Sequence, residues 1–350
     1  MNTLVIEKSA LKNNISLVKK QAGASYIYAN LSGDGYGAGA VPLARLLRDE
    51  GIRRFCVDSA QTAAALRKAG LVDEEILMLH STSDREVLEQ LSDLNAVCSV
   101  GTLEAGMALN SLAENRATVM EAHLQIDCGM GFGGFPAEEP EKIVSLIRNL
   151  PNVAFSGVYT QLASTRSLDS QLAAFQQAVD AIQASGCETG IVHAAGSYAL
   201  HHSDMAHLDA VRAGSVLLGR CRRRRGDGLI AVGHGESQVD SIRWLPKGHT
   251  VGNEHQTTLR RSTRVAVIPV GYQQGYGVDK PVTGFWDAIQ RLLRSRRRTV
   301  RVNGQRVRVL GALGATETLL DVTGVKCTEG DTVTFDLDPL YARGFRREYR

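Results

Sequence analysis

The chain has 350 residues, of which 43% are hydrophobic and 22% charged, a balance that predicts a globular protein with one large or two medium domains. No apolar run approaches the roughly 20 residues that a membrane-spanning helix needs, and the start MNTLVIEKSALKNN lacks the pattern of a signal peptide, so we expect a cytoplasmic protein without a membrane partner. The formal net charge of +3 is too small to indicate nucleic acid as the partner.

Strand-like runs alternate with helix-like runs over the first two thirds of the chain. The predicted strands, in chain order, are YIYANL, RFCVD, EILMLH, AVCSV, AHLQID, AFSGVYT, GIVHAA and AVRAGSVLLG. Between them lie stretches such as AVPLARLLRDEG and SQLAAFQQAVDAIQASG, in which apolar residues recur every three or four positions. This alternation predicts an α/β fold that begins with a (β/α)8 TIM-type barrel, which we assign to residues 1–233.

The pattern changes after GRCRRRRGDG. The segments TRVAVIPVGY, RTVRVNGQRVRVLGALG and GDTVTFDLDP alternate like β-strands, and Asn303-Gly304 is a hairpin signal. We therefore predict a second, mainly β domain over residues 234–350.

In a barrel of this type, the loops after strands seven and eight commonly bind phosphate. Here they read AAGS (194–197) and RAGS (212–215), each with a glycine for close backbone approach and a serine hydroxyl to donate. A rival interpretation comes from GDGYGAGA after the first strand, which loosely matches a dinucleotide-binding loop with Asp58 downstream and would indicate a nicotinamide-dependent dehydrogenase.

The cysteines, histidines and arginines show no pattern that fixes a site. The six cysteines have no CxxC spacing, so we expect reduced thiols rather than a zinc site or a disulfide framework. The histidines of HHSDMAH (201–207) lack the spacing of metal ligands on a helix face, so no metal is expected. The arginine runs RCRRRR (220–225) and RSRRR (294–298) indicate either solvated loops or a site for a polyanion.

Several segments, taken in order, resemble the motifs of the alanine racemase family, fold-type III enzymes that use pyridoxal phosphate (PLP). LSGDGYGAG is similar to K-A-D-A-Y-G-H-G, and LQIDCGMGFGGF to I-D-T-G-M-G-R-x-G-F. VRAGSVLLG is similar to R-P-G-x-x-L-Y-G, and VAVIPVGYQQGYG to V-G-Y-A-D-G-Y. The resemblance spans nearly the whole chain and implies an isomerase ancestry and a homodimer, although ancestry does not settle activity.

The first of these motifs departs from the family at its central residue. When the glycines and Tyr36 are matched, Ser32 takes the place of the lysine that holds PLP as a Schiff base and serves as one of two racemisation bases. A hydroxyl cannot form an imine, and its pKa is too high for the same proton removal. No lysine close in sequence substitutes, since Lys19 and Lys20 precede the strand and the next is Lys68. The resemblance therefore predicts racemase activity that is absent or very weak.

Other departures fall at the amino-acid end of the family's pocket. Family residues are replaced at Phe132 (an arginine), Gln125 (a modified lysine), Gln161 (a histidine), Gln274 (an aspartate), Ala315 (a methionine) and Thr316 (an aspartate). A phosphate-contacting tyrosine of the family would be matched by Phe335 or, alternatively, by Tyr341.

The positions around the cofactor's phosphate and ring nitrogen are kept. The matching residues are Tyr36, Ser197, Arg212, Gly214 and Ser215. The resemblance implies that Arg212 bonds the pyridine nitrogen and that the others hold the phosphate. Tyr272 matches the opposite catalytic base, supplied across the dimer interface. Each also has a structural interpretation: barrel turns for Ser197 and Gly214, an internal ion pair for Arg212, and interface packing for Tyr272.

Three functions remain open from the sequence. The first is a non-racemising homologue that binds PLP or another phosphorylated small molecule noncovalently. The second is an enzyme of changed chemistry that acts on a phosphorylated substrate with Tyr272 as acid or base. The third is a weak PLP-dependent alanine racemase that works on cofactor held without a covalent bond.

Overall fold

The computed structural model describes residues 2–163, 167–221, 226–252, 257–278, 284, 289 and 299–350. The chain forms two compact units, Ala10–Ile230 and Met1–Ser9 with Ala231–Arg350. We call the first the barrel unit and the second the β unit.

The barrel unit alternates strands and helices. Its strands are β2 (Tyr26–Asn30), β3 (Arg54–Val57), β4 (Glu75–Met78), β5 (Cys98–Val100), β6 (Met120–Asp127), β7 (Phe135–Pro136), β8 (Val153–Tyr159), β9 (Ile191–Ala195) and β10 (Ala210–Ala213). The α-helices are α1 (Lys8–Ala22), α2 (Ser32–Tyr36), α3 (Ala40–Asp49), α4 (Ala60–Lys68), α5 (Arg85–Asp93), α6 (Leu103–Asn115), α7 (Pro140–Asn149), α8 (Leu168–Ala184) and α9 (Ser197–His202).

Parallel pairing closes these strands into a nearly complete barrel. The strand order is β4-β3-β2-β10-β9-β8-β6-β5, and a parallel bridge between Leu77 and Val97 connects the two ends. Each of the eight predicted strand segments overlaps one of these strands, so the predicted TIM-type barrel is confirmed. The dinucleotide-binding alternative is wrong, because β2 lies between β3 and β10 in a barrel and not in an open, doubly wound sheet.

Local sequence explains why these elements form where they do. The side chains of Ser59, Asp84 and Thr102 cap α4, α5 and α6 by accepting backbone N–H bonds of the first turn. Within the barrel, buried side chains from several strands pack as one core cluster, which contains Tyr28, Cys56, Leu77, Val97 and Ala210. The carboxyl ends of the strands are left to carry polar groups.

The β unit is dominated by one large sheet. Its strands are β1 (Thr3–Ile6), β11 (His234–Gln238), β12 (Ser241–Leu245), β13 (Thr250–Val251), β14 (Thr257–Thr258), β15 (Thr263–Ile268), β16 (Val300–Val302), β17 (Gln305–Val309), β18 (Thr318–Asp321), β19 (Thr332–Asp336) and β20 (Arg346–Tyr349). The sheet order is β12-β15-β18-β17-β16-β19-β11-β1-β20, and β13 pairs with β14. The mainly β character predicted for this part of the chain is confirmed.

Two details of the β unit bear on the predictions. Asn303 and Gly304 connect β16 to β17 with φ values of 49° and 78°, as the hairpin signal indicates. The strand β1 pairs with β11 and β20, which places residues 2–9 in the β unit, whereas the predicted division at residue 233 assigned them to the barrel. The difference arises because the partners of β1 lie more than 200 residues further along the chain. None of the helices in the described ranges combines the length and the apolar character needed to cross a bilayer.

Candidate ligand-binding site

The first barrel strand leads into a left-handed turn. Residues 33–36 have φ values of 61°, 55°, 64° and 53°, a region that glycine enters without steric cost. The carboxylate of Asp34 accepts the N–H of Ala40, and that of Asp58 accepts the N–H of Gly33. The turn therefore holds Ser32 at the carboxyl end of β2, the edge at which barrels of this type bind ligands.

The side chain of Ser32 is bound to its own strand. Its hydroxyl donates to Asn30 Oδ1 at 2.6 Å, and its backbone N–H donates to the same oxygen at 2.9 Å. Within the described ranges, no titratable side chain makes a hydrogen bond to Ser32 Oγ. Because a serine needs an adjacent base to act as a nucleophile, this hydroxyl is a structural donor.

The lysines of the barrel unit lie on its outer helices. Lys12, Lys19 and Lys20 are on α1, Lys68 is on α4 and Lys142 is on α7, and all of them are exposed. The barrel segments outside the described ranges, 164–166 and 222–225, contain no lysine in the sequence. The barrel unit thus has no buried amine that could replace the one missing at Ser32.

The residues predicted to hold a phosphate meet where β2, β9 and β10 end. A β-carbon on Gly214 would lie 2.5 Å from the hydroxyl oxygen of Tyr36, so the phenol lies against the glycine backbone. The hydroxyl oxygen of Ser197 accepts the N–H groups of Gly214 at 3.1 Å and Val216 at 3.3 Å. Since both acceptor positions of this oxygen are used, the Ser197 O–H remains available to a ligand.

Two further donors complete this group. Burial raises the pKa of Tyr36, so its hydroxyl stays protonated and can donate at neutral pH. Ser215 directly follows Gly214, is half-buried, and has no acceptor for its backbone N–H or its hydroxyl in the described part of the chain. These donors are neutral, and the carboxylates of the adjoining turn, Asp34 and Asp58, accept backbone N–H groups. The donors therefore suit an anionic ligand group.

Arg212 is a buried cation on β10. Its Nη1 donates to Nδ1 and the carbonyl of His193, at 2.8 and 3.1 Å. Its Nη2 donates to the carbonyls of Thr160 and Ala194 and to Oε1 of Gln161, at 2.5, 3.4 and 3.2 Å. None of these bonds uses Nε, and burial lowers the pKa of the guanidinium.

The ion pair offered as the structural interpretation of Arg212 is not found within the described ranges. No carboxylate there lies within 4 Å of the guanidinium, and every acceptor around it is a carbonyl, an amide oxygen or an imidazole. Arg212 therefore keeps a full charge and an N–H donor for a ligand acceptor.

A pair of histidines continues this network into the barrel. His193 Nε2 lies 2.9 Å from His123 Nδ1, and both rings are buried. Because a guanidinium can only donate, His193 Nδ1 must be an unprotonated acceptor, which puts the proton on Nε2 and makes His123 Nδ1 the next acceptor. Burial, aided by the charge of Arg212, lowers the pKa of His123 to about 3 and that of His193 well below its usual value, so both imidazoles are neutral.

The loop after β6 is held by two polar side chains. The Asp127 carboxylate accepts the backbone N–H groups of residues 129–131. The Gln125 amide donates to the carbonyls of Gly133 at 3.0 Å and Phe132 at 3.4 Å. The Phe132 side chain is 74% exposed. Gln125 therefore lies next to Phe132 and holds the backbone of this loop through its hydrogen bonds.

Gln161 reaches the same group of residues from the end of β8. The guanidinium of Arg212 cannot accept, so the glutamine must turn its oxygen toward Arg212 and its amide nitrogen away. That nitrogen lies 3.4 Å from the position of a β-carbon on Gly196, the residue before Ser197. A donor amide therefore replaces the ring that the family resemblance places here.

In the β unit, the structure brings Tyr272 close to the Ala315 segment. The N–H of Tyr272 donates to Gly314 O and that of Gln273 to Ala315 O, both at 3.0 Å. The Gln274 side chain accepts the N–H of Gly271 at 2.9 Å and so closes the turn. The Tyr272 side chain is exposed, and so is Thr316.

The two candidates for the phosphate-contacting tyrosine lie in different surroundings. Phe335 is buried in β19 and packs against the rings of Tyr276 and Phe345. Tyr341 is half-buried in the short helix Pro339–Tyr341. Phe335 is therefore a core residue of the β unit.

Among the described residues, two histidines of the sequence motif HHSDMAH bond nearby backbone. His202 Nδ1 bonds the carbonyl of Tyr198, and His207 Nε2 bonds that of Leu200. No cluster of three metal-type ligands occurs within the described ranges. The arginines at 222–225 and 294–298 lie outside them.

Three residues of the site, Asn30, His123 and His193, were not identified from the sequence. The two histidines lie in AHLQID and GIVHAA, segments predicted as strands, and an ionisable residue at a buried strand position was the available signal. Asn30 ends its strand two residues before Ser32, a spacing typical of a local side-chain-to-backbone bond.

Comparison with protein families identifies both parts of the chain. The model of the alanine racemase N-terminal domain matches residues 6–221, and that of the C-terminal domain matches residues 232–338. An alanine racemase of Desulfovibrio desulfuricans is 30% identical over 340 residues, which cover 94% of this chain and 87% of the relative. An alanine racemase of Carboxydothermus hydrogenoformans is 30% identical over 86% of this chain and 80% of the relative.

Solved structures agree in fold. The alanine racemase from D-cycloserine-producing Streptomyces lavendulae superposes with a TM-score of 0.85 at 20% identity, covering 100% of this chain and 97% of that one. The alanine racemase of Bartonella henselae, solved with covalently bound pyridoxal phosphate, superposes with a TM-score of 0.82 at 21% identity, covering 100% and 99%.

Proposed function

The chain belongs to the alanine racemase family, and we propose that it is a non-racemising member that binds pyridoxal phosphate, or another small phosphorylated molecule, without a covalent bond. The observation that carries the proposal is the bond from the Ser32 hydroxyl to Asn30 Oδ1 at the position where the family resemblance requires a lysine. The barrel unit keeps its lysines exposed on outer helices, so it offers no second amine for attachment.

The described residues fit two ends of the cofactor and not its attachment. Tyr36, Ser197 and Ser215 supply O–H donors that suit a phosphate, and the bare backbone of Gly214 leaves room for close approach. Arg212 keeps Nε–H as a donor for an unprotonated ring nitrogen. These contacts define which residues would hold the ligand.

The chemistry that pyridoxal phosphate supplies when bound is electron withdrawal from a substrate joined to its aldehyde carbon. Racemisation also needs a base on each face of the substrate carbon, and Ser32 provides none on one face. The residues at the amino-acid end have changed as well, since Gln125 holds a loop and Phe132 replaces a cation with an exposed ring. Binding without racemisation is the function that this set of side chains supports best.

A homodimer in the cytoplasm is the setting we propose for this site. Tyr272 and the Ala315 segment adjoin each other in the β unit, and the family resemblance has both contribute to the site of a second subunit. In this setting Tyr272 is the retained base position, and Ser32 leaves it without a partner base.

The test uses the purified chain and pyridoxal phosphate. We expect equilibrium binding that is reversed by dialysis, no mass increase when the dialysed chain is reduced with borohydride, and no conversion of L-alanine to D-alanine. The variant Ser197→Ala should weaken binding by about tenfold, because one hydrogen bond to a charged group is lost. Ser16→Ala on the exposed face of α1 is the matched control and should bind like the parent.

Two outcomes would overturn the proposal in different ways. A borohydride-stable adduct in the parent chain would refute binding without a covalent bond, and conversion of L-alanine to D-alanine by the parent chain would favour the racemase alternative. If the parent chain bound neither pyridoxal phosphate nor inorganic phosphate, the proposed ligand-binding role would be refuted.

A further inference from the structure

The barrel interior contains a neutral histidine, His123, that no part of the proposed function uses directly. It is 1% exposed and lies on β6, two hydrogen bonds away from Arg212 with His193 between them. We propose that His123 is a positioning residue that acts through His193 to hold Arg212 with Nε–H directed at a ring acceptor of the bound ligand. This inference rests on the proposed function, because the ligand is the one that Arg212 would contact.

The hydrogen bonds that connect Arg212, His193 and His123 can run in only one direction. Arg212 must donate to His193, and His193 must then donate from Nε2 to His123 Nδ1. If the acceptor on His123 were removed, the Nε2–H of His193 would be left unpaired in a position that is 0% exposed. The bond from Arg212 still keeps the proton on Nε2, and an unpaired buried N–H is unfavourable, so the ring would tilt toward another acceptor and weaken its bond to Arg212.

In the parent chain, aromatic rings and backbone hold both imidazoles in place. Tyr28 and Tyr159 stack on His193 with ring centroids 5.2 Å away in both cases. The ring of His123 occupies the space over Gly157, where a β-carbon would lie 2.5 Å from Nε2. The surrounding barrel residues therefore fix both imidazoles. The bond to His193 in turn holds the guanidinium of Arg212 in one orientation.

Within the described ranges, this series of hydrogen bonds ends at His123 without reaching a carboxylate. A histidine that orients another group is commonly itself held by a carboxylate, which would neutralise the nearby charge. Here the carboxylate of Glu75 bonds Arg54 and the hydroxyl of Tyr28, the ring that stacks on His193, and makes no hydrogen bond to either imidazole within the described ranges. Ending on a neutral imidazole lets His123 fix Arg212 while leaving the positive charge available to the ligand.

Two amide variants test the role of His123 with a matched pair. His123→Asn places an oxygen near the position of Nδ1 and keeps the acceptor. His123→Gln extends its amide toward Gly157 and does not, and His123→Leu has no acceptor at all. The probes are pyridoxal phosphate and the analogue in which a C–H group replaces the ring nitrogen.

The parent chain should bind pyridoxal phosphate about tenfold more tightly than the analogue, because the Arg212 bond is made only with the nitrogen. His123→Asn should keep that preference, and His123→Gln and His123→Leu should lose it. Equal weakening of both ligands in all variants would show that His123 is merely structural and would overturn the inference.

A ligand-independent measurement separates this inference from the proposed function. If the parent chain binds neither compound, the proposed function fails, yet nitrogen-15 spectra of His193 still decide the positioning role. We expect the proton on Nε2 in all three chains, with the Nδ1 signal of His193 at the position of a hydrogen-bonded acceptor in the parent chain and in His123→Asn, and shifted away from it in His123→Leu. An unchanged Nδ1 signal in His123→Leu would refute the link.

Discussion

The hydroxyl of Tyr36 lies so close to the backbone of Gly214 that a β-carbon on the glycine would be 2.5 Å from the phenol oxygen and 2.7 Å from two ring carbons. The contact joins the carboxyl ends of β2 and β10, which pair in parallel. The phenol is fixed from the other side by the left-handed turn at residues 33–36. Because Gly214 has no side chain, the Tyr36 hydroxyl can lie against its backbone.

The variant Gly214→Ala should displace the Tyr36 ring. We expect a loss of about 1–3 kcal/mol in the free energy of unfolding, which is typical of overpacking, and a loss of phosphate and pyridoxal phosphate binding. Denaturant unfolding and equilibrium dialysis measure the two effects. The control is Gly324→Ala, where a β-carbon meets no atom within 4 Å. Unchanged binding in Gly214→Ala would show that Tyr36 does not contact the ligand.

Gly157 has the same relationship to His123 inside the barrel. A β-carbon on Gly157 would lie 2.5–2.7 Å from three ring atoms of His123, so Gly157→Ala should destabilise the chain by about 1–3 kcal/mol. Because the clash needs the imidazole, Gly157→Ala should cost less in a His123→Ala background. A double-mutant cycle on unfolding free energies measures this coupling. Strictly additive losses would contradict the contact.

The barrel could be predicted because its signals are local. Each strand, from YIYANL to AVRAGSVLLG, is a short apolar run bounded by turn residues, and parallel pairing follows from the alternation with helices. The pairing of β1 could not be predicted, because its partners β11 and β20 are chosen by contacts more than 200 residues away. The spacing of apolar residues predicts individual helices and strands, but the pairing of strands far apart in the sequence can be seen only in the folded structure.

The site residues also divide into those that a local motif identifies and those that only the fold brings together. Ser32, Tyr36 and Arg212 were identified by their matches to motifs. The surroundings of Arg212 were not, because its acceptors include the backbone carbonyls of Thr160 and Ala194, which have no sequence signature. The ion pair considered as the structural interpretation of Arg212 is replaced by hydrogen bonds to carbonyl oxygens, a side-chain amide oxygen and an imidazole.

A histidine in the β unit makes stability depend on pH. His234 Nδ1 bonds Glu7, and its Nε2 lies 3.5 Å from Glu236, contacts that raise the pKa of His234. Burial opposes ionisation of Glu7, but the bonds from His234 and the N–H of Gly233 outweigh it and lower the pKa of this carboxyl.

The variant His234→Asn should therefore be destabilised most at mildly acidic pH. The contribution of a raised histidine pKa is fully present below about pH 6.5, the unfolded value, and is lost as pH rises through the higher folded value. That of Glu7 is present above about pH 4.5 and is lost as pH falls through its lowered folded pKa. We expect a difference of about 1 kcal/mol near pH 6 that shrinks at alkaline pH. Unfolding curves of the parent chain, His234→Asn and the exposed control His249→Asn measure it, and a difference that grows with pH would contradict the assignment.

Ser32→Lys should restore attachment without restoring the enzyme. An amine at this position lies at the carboxyl end of β2, so we expect pyridoxal phosphate to become fixed to the chain by borohydride, as a mass increase will show. Racemisation of alanine should nevertheless stay at least about a hundredfold below that of the Desulfovibrio desulfuricans relative assayed in parallel, because the cation replaced by Phe132 and the residues replaced at Ala315 and Thr316 are still missing, and positioned acid–base and charged groups each contribute roughly 10²–10⁴ in rate. The control Ser16→Lys adds an amine to the exposed face of α1 and should give no specific adduct. Recovery of rapid racemisation by Ser32→Lys alone would mean that the pocket lost only its anchor and that the other replacements are neutral.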